Sequence, residues 1–284
     1  MKTNERHPGE DGRSCVRSSE DGRVVLGLSE MAWETDFFGR RFGRLEADAE
    51  GTDDLDDHTL EKALEEILSF GDRNGFDLIE LELDISWLSH MCLFEDHGFR
   101  LVDTKMRFIT SKEKTELNNL PEAEAEVGSA SEDMKDEILA LTRRAFAENP
   151  SFKSRFNNKR YFSRAETERY YAAWIENYLG DENTLFGVMK DKGKIVGYLI
   201  YPKAGEYEGR PLYKAALMAV DPECRGRRVY FDLRSFVYRQ FPEPEVYLDA
   251  TTQLTNLSAI RNLIKTKKRL DSIKLVFYRR GPGS

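Results

Sequence analysis

Apolar residues along the chain alternate between two spacings. Short, nearly unbroken apolar runs give way to stretches in which apolar residues recur every three or four positions, so strands are expected to alternate with helices. Leu212, Tyr213, Ala215, Leu217, Met218 and Val220 form one such run, suited to a strand buried on both faces. Asp221-Pro222-Glu223 ends it, because Pro lacks a ladder N–H and Asp favours turns. Behind the turn Arg225-Gly226-Arg227-Arg228, the residues Tyr230, Leu233, Val237 and Phe241 repeat at helical spacing. Residues 212–241 are thus expected to be a strand, a basic turn containing glycine, and a helix.

The same patterns organise the rest of the chain. Residues 1–22, charged and rich in Gly, Ser and Arg without periodicity, suit a disordered tail. A small α/β domain is expected over 23–111. It has strands at 24–28, 78–83 and 100–109, a packed aromatic loop at 33–42, and helices around Leu60, Leu64, Ile67 and Leu68 and over 87–97. Asp53, Asp54, Asp56 and Asp57 precede the first helix and favour its N-terminus; Gly71 and Gly75 mark its exit. Residues 112–130 have linker composition, and a second domain is expected over 131–280. Ser129 and Glu132 suit a capping box for a helix burying Met134, Ile138, Leu141 and Phe146. A helix over 166–178, a hairpin of 184–189 with 194–201, a strand at 246–250, a helix at 258–265 and a strand at 273–278 complete the domain. The helix–strand–helix–strand order of the first domain echoes that of residues 227–278, as a truncated repeat would.

Composition narrows the function classes. A chain of 284 residues, 40% hydrophobic and 33% charged, is a globular protein with room for two cores. Its net charge of -8 argues against general nucleic-acid binding, and its lack of a long apolar run argues against a membrane span. The three cysteines, Cys15, Cys92 and Cys224, have unrelated spacing and fit a reducing, cytoplasmic setting. His90, Cys92 and His97 do not share one helix face, so no metal is expected there.

The basic turn is the candidate for chemistry. Free N–H groups at a helix start, its dipole and nearby guanidiniums all favour a phosphate. A surface turn with solvated arginines accounts for the same residues equally well. The run Lys265, Lys267, Lys268 and Arg269 is expected to be solvated cations at a helix C-terminus.

Ala219-Val220-Asp221-Pro222 followed by Arg225-Gly226 resembles the acetyl-CoA-binding strand and pyrophosphate loop of the GNAT acyltransferase superfamily. Thr252-Gln253-Leu254-Thr255-Asn256 with Ala259 resembles the next strand end and helix of its dTDP-fucosamine acetyltransferase branch. So do Trp33-Glu34-Thr35-Asp36-Phe37-Phe38-Gly39 and Ser154-Arg155-Phe156 with Tyr171 and Trp174-Ile175. The resemblance implies a GNAT-like mixed α/β sheet whose parallel strands splay, with acetyl-CoA lying in the gap. It assigns acyl-oxygen binding to the backbone of Met218 and Ala219, and pantetheine pairing to Val220. Arg225, Gly226, Arg227, Arg228, Val229, Tyr230 and Asn256 would hold the coenzyme, and Arg155, Tyr171 and Gln253 the acceptor. Two positions depart from the family. Its loop has small residues where Arg228 and Tyr230 stand here, and Leu263 occupies the place of a tyrosine that protonates the leaving thiolate.

The expected function is metal-free, direct acetyl transfer from acetyl-CoA to the amine of a nucleotide-linked amino sugar, in a protein that leaves room for a homodimer. The alternatives are a GNAT enzyme for a peptide or small-metabolite amine, and a silent GNAT domain kept for binding or assembly.

Overall fold

The computed structural model describes residues 15–18, 24–49, 56–123 and 125–283. The chain divides into two compact units, residues 1–106 with 272–284 and residues 107–271. Both are mixed α/β, as the sequence pattern requires.

In the first unit, β1 (Cys15–Ser18), β2 (Val24–Glu30), β3 (Phe42–Ala49) and β4 (Leu78–Asp84) lie side by side in that order, followed by β12 (Arg269–Arg280). The link between β3 and β4 is parallel and runs from Phe42↔Leu78 to Leu45↔Leu81, with α2 (Asp57–Arg73) as the crossover. Leu60, Leu64, Ile67 and Leu68 form the buried stripe of α2, against Leu26, Leu45, Ile79 and Leu81. Asp56 caps it by accepting from Thr59 N; Asp53 and Asp54 lie outside the described residues. A strand from much later in the chain joins this sheet: β12 pairs antiparallel with β4 from Lys274↔Asp84 to Arg280↔Leu78, and buries Leu275 and Phe277 in the same core.

Several expectations for this unit need correction. The aromatic stretch is not a loop but includes α1 (Ala32–Phe38), in which Trp33 stacks on Phe37 one turn later, 5.0 Å between ring centroids. Gly39, at φ +64°, ends it. The helix expected over 87–97 is a 3-10 turn, Ile85–His90, followed by α3 (Met91–Asp96). Of the expected tail, Cys15–Ser18 is described, and it forms β1.

The second unit takes β5 (Arg100–Glu113) from Arg107 onward and then α4 (Lys114–Asn118). The stretch expected as a linker therefore holds a helix, and Leu117 from it is buried in the core. It also holds β6 (Glu126–Ser129), paired with β7 (Thr184–Asp191). The expected capping box is absent: Ser131, with no side-chain cap bond, leads a 3-10 turn into α5 (Lys135–Thr142), which widens into a π turn at Arg143–Ala147. The box occurs instead at Ser163 and Glu166, opening α6 (Arg164–Tyr178).

The strands that follow are β8 (Lys194–Tyr207), β9 (Arg210–Ala215), β10 (Leu217–Val220) and β11 (Glu245–Gln253), with α7 (Val229–Arg239) between β10 and β11 and α8 (Leu257–Lys265) after them. The order is β11-β9-β8-β7-β6, and β10 pairs with β8. Alternate residues of β8 serve two cores, since a strand turns successive side chains to opposite faces. Leu199 and Tyr201 pack with α7 residues Leu233 and Val237, whereas Tyr198 and Ile200 pack with Ile138 and Leu141 of α5. Both units repeat one motif: an antiparallel strand pair, a crossover helix, and a parallel neighbour (β2-β3-α2-β4, and β8-β9/β10-α7-β11).

Candidate active site

The strand predicted over 212–220 is two strands, broken at Ala216. β9 pairs with both neighbours, antiparallel with β8 and parallel with β11 from Leu212↔Tyr247 to Ala215↔Ala250. Ala216 N donates to Ile200 O, and β10 continues on β8 alone, from Leu217↔Ile200 to Val220↔Gly197. β11 meanwhile runs on to Gln253. Beyond Ala215 and Ala250 the two parallel strands part, leaving Met218, Ala219 and Val220 on one side and Thr251, Thr252 and Gln253 on the other. A strand paired on one side aims alternate backbone N–H and C=O groups away from that partner, here into the opening.

The basic turn sits at the end of β10. Asp221 anchors it: its N–H donates to Val196 O, and its carboxylate accepts from Glu223 N at 3.1 Å and from Arg144 Nη2 at 2.9 Å. Gly226 (φ +82°) and Arg228 (φ +59°) then turn the chain through the left-handed region into α7. Position 228 is where the resembling family has a small residue, and the backbone supplies the reason, since a side chain there costs about 1–2 kcal/mol. Arg228 N-caps the helix without a side-chain cap bond, and its carbonyl accepts from Phe231 N and Asp232 N. Val229 and Tyr230 open α7, so their N–H groups have no acceptor within the helix. Gly197 on β8 lets this start come close: a Cβ there would lie 2.5 Å from Val229 Cγ1 and 3.2 Å from Ala219 O.

The two bulky residues of the turn differ in their surroundings. The Tyr230 hydroxyl is buried beside Thr266, and burial raises its pKa, an effect tempered by Thr266 and Arg234. The Arg228 guanidinium lies 3.8 Å from the buried Asp232 carboxylate one turn on. Arg225 and Arg227 are exposed, with Arg227 3.4 Å from Asp191.

Other candidate side chains have structural partners. Asn256 N-caps α8 by accepting from Ala259 N at 3.2 Å; Gln253, half-buried, ends β11. Tyr171 is buried against Phe146, and its hydroxyl lies 3.0 Å from Ser154 Oγ. Arg155 follows in the chain, its guanidinium 4.4 Å from the Phe156 ring centre. Tyr171 belongs to the same apolar cluster as Ala219 and Leu217. Leu263 is buried on α8.

One expectation fails among the cations. Lys268 is not solvated but 5% exposed, donating to Leu248 O at 3.0 Å. Burial lowers its pKa to about 7 against the pull of Asp249. Its neighbour Lys267 takes φ +60° and stays exposed, so the tight turn after α8 sends successive side chains in different directions. Sequence reasoning also passed over Gly197 and the Arg144–Asp221 pair. A glycine within an otherwise apolar strand was the available signal for Gly197.

The model of the Acetyltransferase (GNAT) family matches residues 151–263, a stretch that takes in the parting strands and the basic turn. Over that stretch, two fifths of the chain, the sequence is similar to GNAT acetyltransferases. No curated protein matches the sequence. Among solved structures, the chain is similar to a GCN5-related N-acetyltransferase from Sphaerobacter thermophilus, with TM-score 0.56 and 16% identity over 98% of this chain and 84% of that one. It is similar to a tandem GNAT protein from the clavulanic acid biosynthesis pathway, with TM-score 0.54 and 12% identity over 95% and 85%. A functionally unknown conserved protein from Staphylococcus epidermidis gives TM-score 0.60 and 12% identity over 96% of each chain. At these identities the likeness is one of fold. The GNAT fold here thus accompanies a family match confined to the second unit. Among the described residues no helix is long and apolar enough to cross a membrane.

Proposed function

We propose that the second unit binds acetyl-CoA where β10 and β11 part and transfers the acetyl group to the amine of a nucleotide-linked amino sugar. The observation that carries this reading is the early end of the β9–β11 ladder at Ala215↔Ala250, next to a helix start bearing Arg225 and Gly226. The residues suit the coenzyme. The turn offers a left-handed glycine, exposed guanidiniums and unshared helix N–H groups to a diphosphate. When bound, acetyl-CoA supplies an acyl group activated as a thioester. Alternation along β10 turns the Ala219 N–H to β8 and that of Met218 to the opening, where the Met218 N–H orients the acyl oxygen and stabilises negative charge on it, and Val220 continues the pairing along the coenzyme's amide arm. Asn256 steadies the opposite wall by capping α8.

For the acceptor, Gln253 offers an amide at the end of β11, and Arg155 a charge for a nucleotide phosphate. Tyr171 contributes through Ser154, whose hydroxyl it meets directly ahead of Arg155. The nucleotide-sugar assignment rests on the resemblance of the Trp33–Gly39 and Ser154–Phe156 segments to the dTDP-fucosamine branch. A second reading, a domain kept for binding alone, is favoured by the buried Leu263 in place of a tyrosine acid.

Calorimetry with CoA, followed by thiol release from acetyl-CoA with amino-sugar nucleotides, peptides and small amines, separates these readings. Binding that weakens in Arg225→Ala, with release stimulated by the amino-sugar nucleotide, is expected. No CoA binding at millimolar concentration would leave only the binding-domain reading. Release with another amine alone would replace the acceptor.

A further inference from the structure

We propose that Glu61, Glu65 and His97, in the first unit, form a binding site for a divalent transition-metal ion of the zinc type. Glu61 and Glu65 are one turn apart on α2 and so share a face. His97 caps the end of α3, remote in sequence, and brings its ring to the same place. The ligand atoms of all three lie within 4.8 Å of one another. Two carboxylates and an imidazole are a donor set for a borderline ion; the imidazole disfavours Mg²⁺ and Ca²⁺, which take oxygen ligands.

Two further features favour an ion over a chance cluster. His97 Nδ1 lies 2.9 Å from Leu93 O. A carbonyl only accepts, so Nδ1 carries the hydrogen, and in the neutral ring Nε2 holds the lone pair that a metal requires. A backbone carbonyl on the other ring nitrogen is a usual support for a metal-binding histidine. The His97 backbone is in turn fastened to the helix that carries the two glutamates. Arg279 Nε donates to His97 O at 3.1 Å, while its Nη1 and Nη2 grip the Asp72 carboxylate on α2 at 2.7 and 2.9 Å. Ligands fixed in this way need only small side-chain rotations to reach metal–ligand distances of about 2.0–2.2 Å. Neither glutamate pairs with a cation among the described residues, so a bound ion would relieve the repulsion between them. The neighbouring His90 is engaged elsewhere, 2.8 Å from Asp57. The ion would tie α2 to the end of α3, which makes it a structural cross-link within the first unit.

The test is calorimetric titration of the full, chelator-treated chain with Zn²⁺, and separately with Mg²⁺. The expected result is binding of zinc but not magnesium, weakened at least about tenfold in Glu61→Gln, Glu65→Gln and His97→Ala. Binding should persist in Glu66→Gln, one position along the same helix, and in Cys92→Ser. Zinc should also raise the melting temperature of the wild type and leave that of His97→Ala unchanged. Absence of zinc binding overturns the proposal. So does equal loss in Glu66→Gln, which would mark a diffuse acidic surface, or loss in Cys92→Ser with retention in His97→Ala, which would mark adventitious thiol binding.

Discussion

Val229, the first residue of α7, occupies the space that the missing side chain of Gly197 leaves on β8. A methyl group at 197 would meet Val229 Cγ1 at 2.5 Å and the Ala219 carbonyl at 3.2 Å, so it would press on both the helix start and β10. Gly197→Ala should destabilise the second unit by about 1–3 kcal/mol and weaken CoA binding together. Val229→Ala removes the closest clashing atom and should restore part of both. If denaturant melts and calorimetry give additive effects for the double variant, the contact does not govern the turn.

Arg228 adopts a left-handed conformation that glycine enters freely. Arg228→Ala and Arg228→Gly both lose the contact with Asp232, so their difference isolates the backbone. Arg228→Gly should be the more stable by about 1 kcal/mol in urea unfolding. Equal stability would mean that the turn relaxes without the arginine. CoA affinity measured on the same two proteins shows whether the guanidinium binds phosphate or only faces Asp232.

Lys268 gives a signed pH dependence. Its folded pKa, lowered to about 7 by burial, lies below the ordinary value of 10.5, and Asp249, Arg234 and Lys112 are the charges that act on it. Below pH 7 both folded and unfolded chains hold the proton, and the buried ammonium penalises the fold in full. Between the two values the unfolded chain holds a proton that the folded chain has lost, so stability rises with pH. The stability of the wild type relative to Lys268→Met should therefore climb from about pH 7 towards pH 10, by at most about 1.4 kcal/mol per pH unit. A flat difference in urea midpoints across that range would mean that Lys268 stays charged in the fold.

Deleting residues 272–284 should damage the first unit, although the cut is far along the chain. It removes Leu275 and Phe277 from the core around Trp87 and strips β4 of its antiparallel partner. Loss of one such buried phenylalanine typically costs about 3–5 kcal/mol. Trp87 fluorescence should shift to the red in the truncated protein; an unchanged spectrum would mean that the remaining strands suffice.

The sequence made the strand–turn–helix of the candidate site legible because Pro222, Gly226 and the spacing of Leu233, Val237 and Phe241 each signal one step. It did not expose the break at Ala216. Leu212 to Val220 is apolar on both sides of it, and a change of hydrogen-bonding partner leaves the side-chain pattern unaltered. Leu117 was hidden by its Lys- and Glu-rich surroundings, where a single apolar anchor has no periodicity. Lys268 was misjudged because a run of cations at a helix end is usually solvated, and only the direction of the turn at Lys267 sends its neighbour inward. The grouping of His97 with Glu61 and Glu65 depends on a tertiary contact between α2 and the end of α3, which helical spacing around His97 alone does not reveal.

The pairing of β12 with β4 also sets an order of events at the ribosome. β4 is made well before the strand that hydrogen-bonds to its second edge. Until β12 emerges, that edge has no native partner, and open strand edges invite intermolecular pairing. A premature stop ahead of β12 would thus leave the first unit as the part exposed to aggregation.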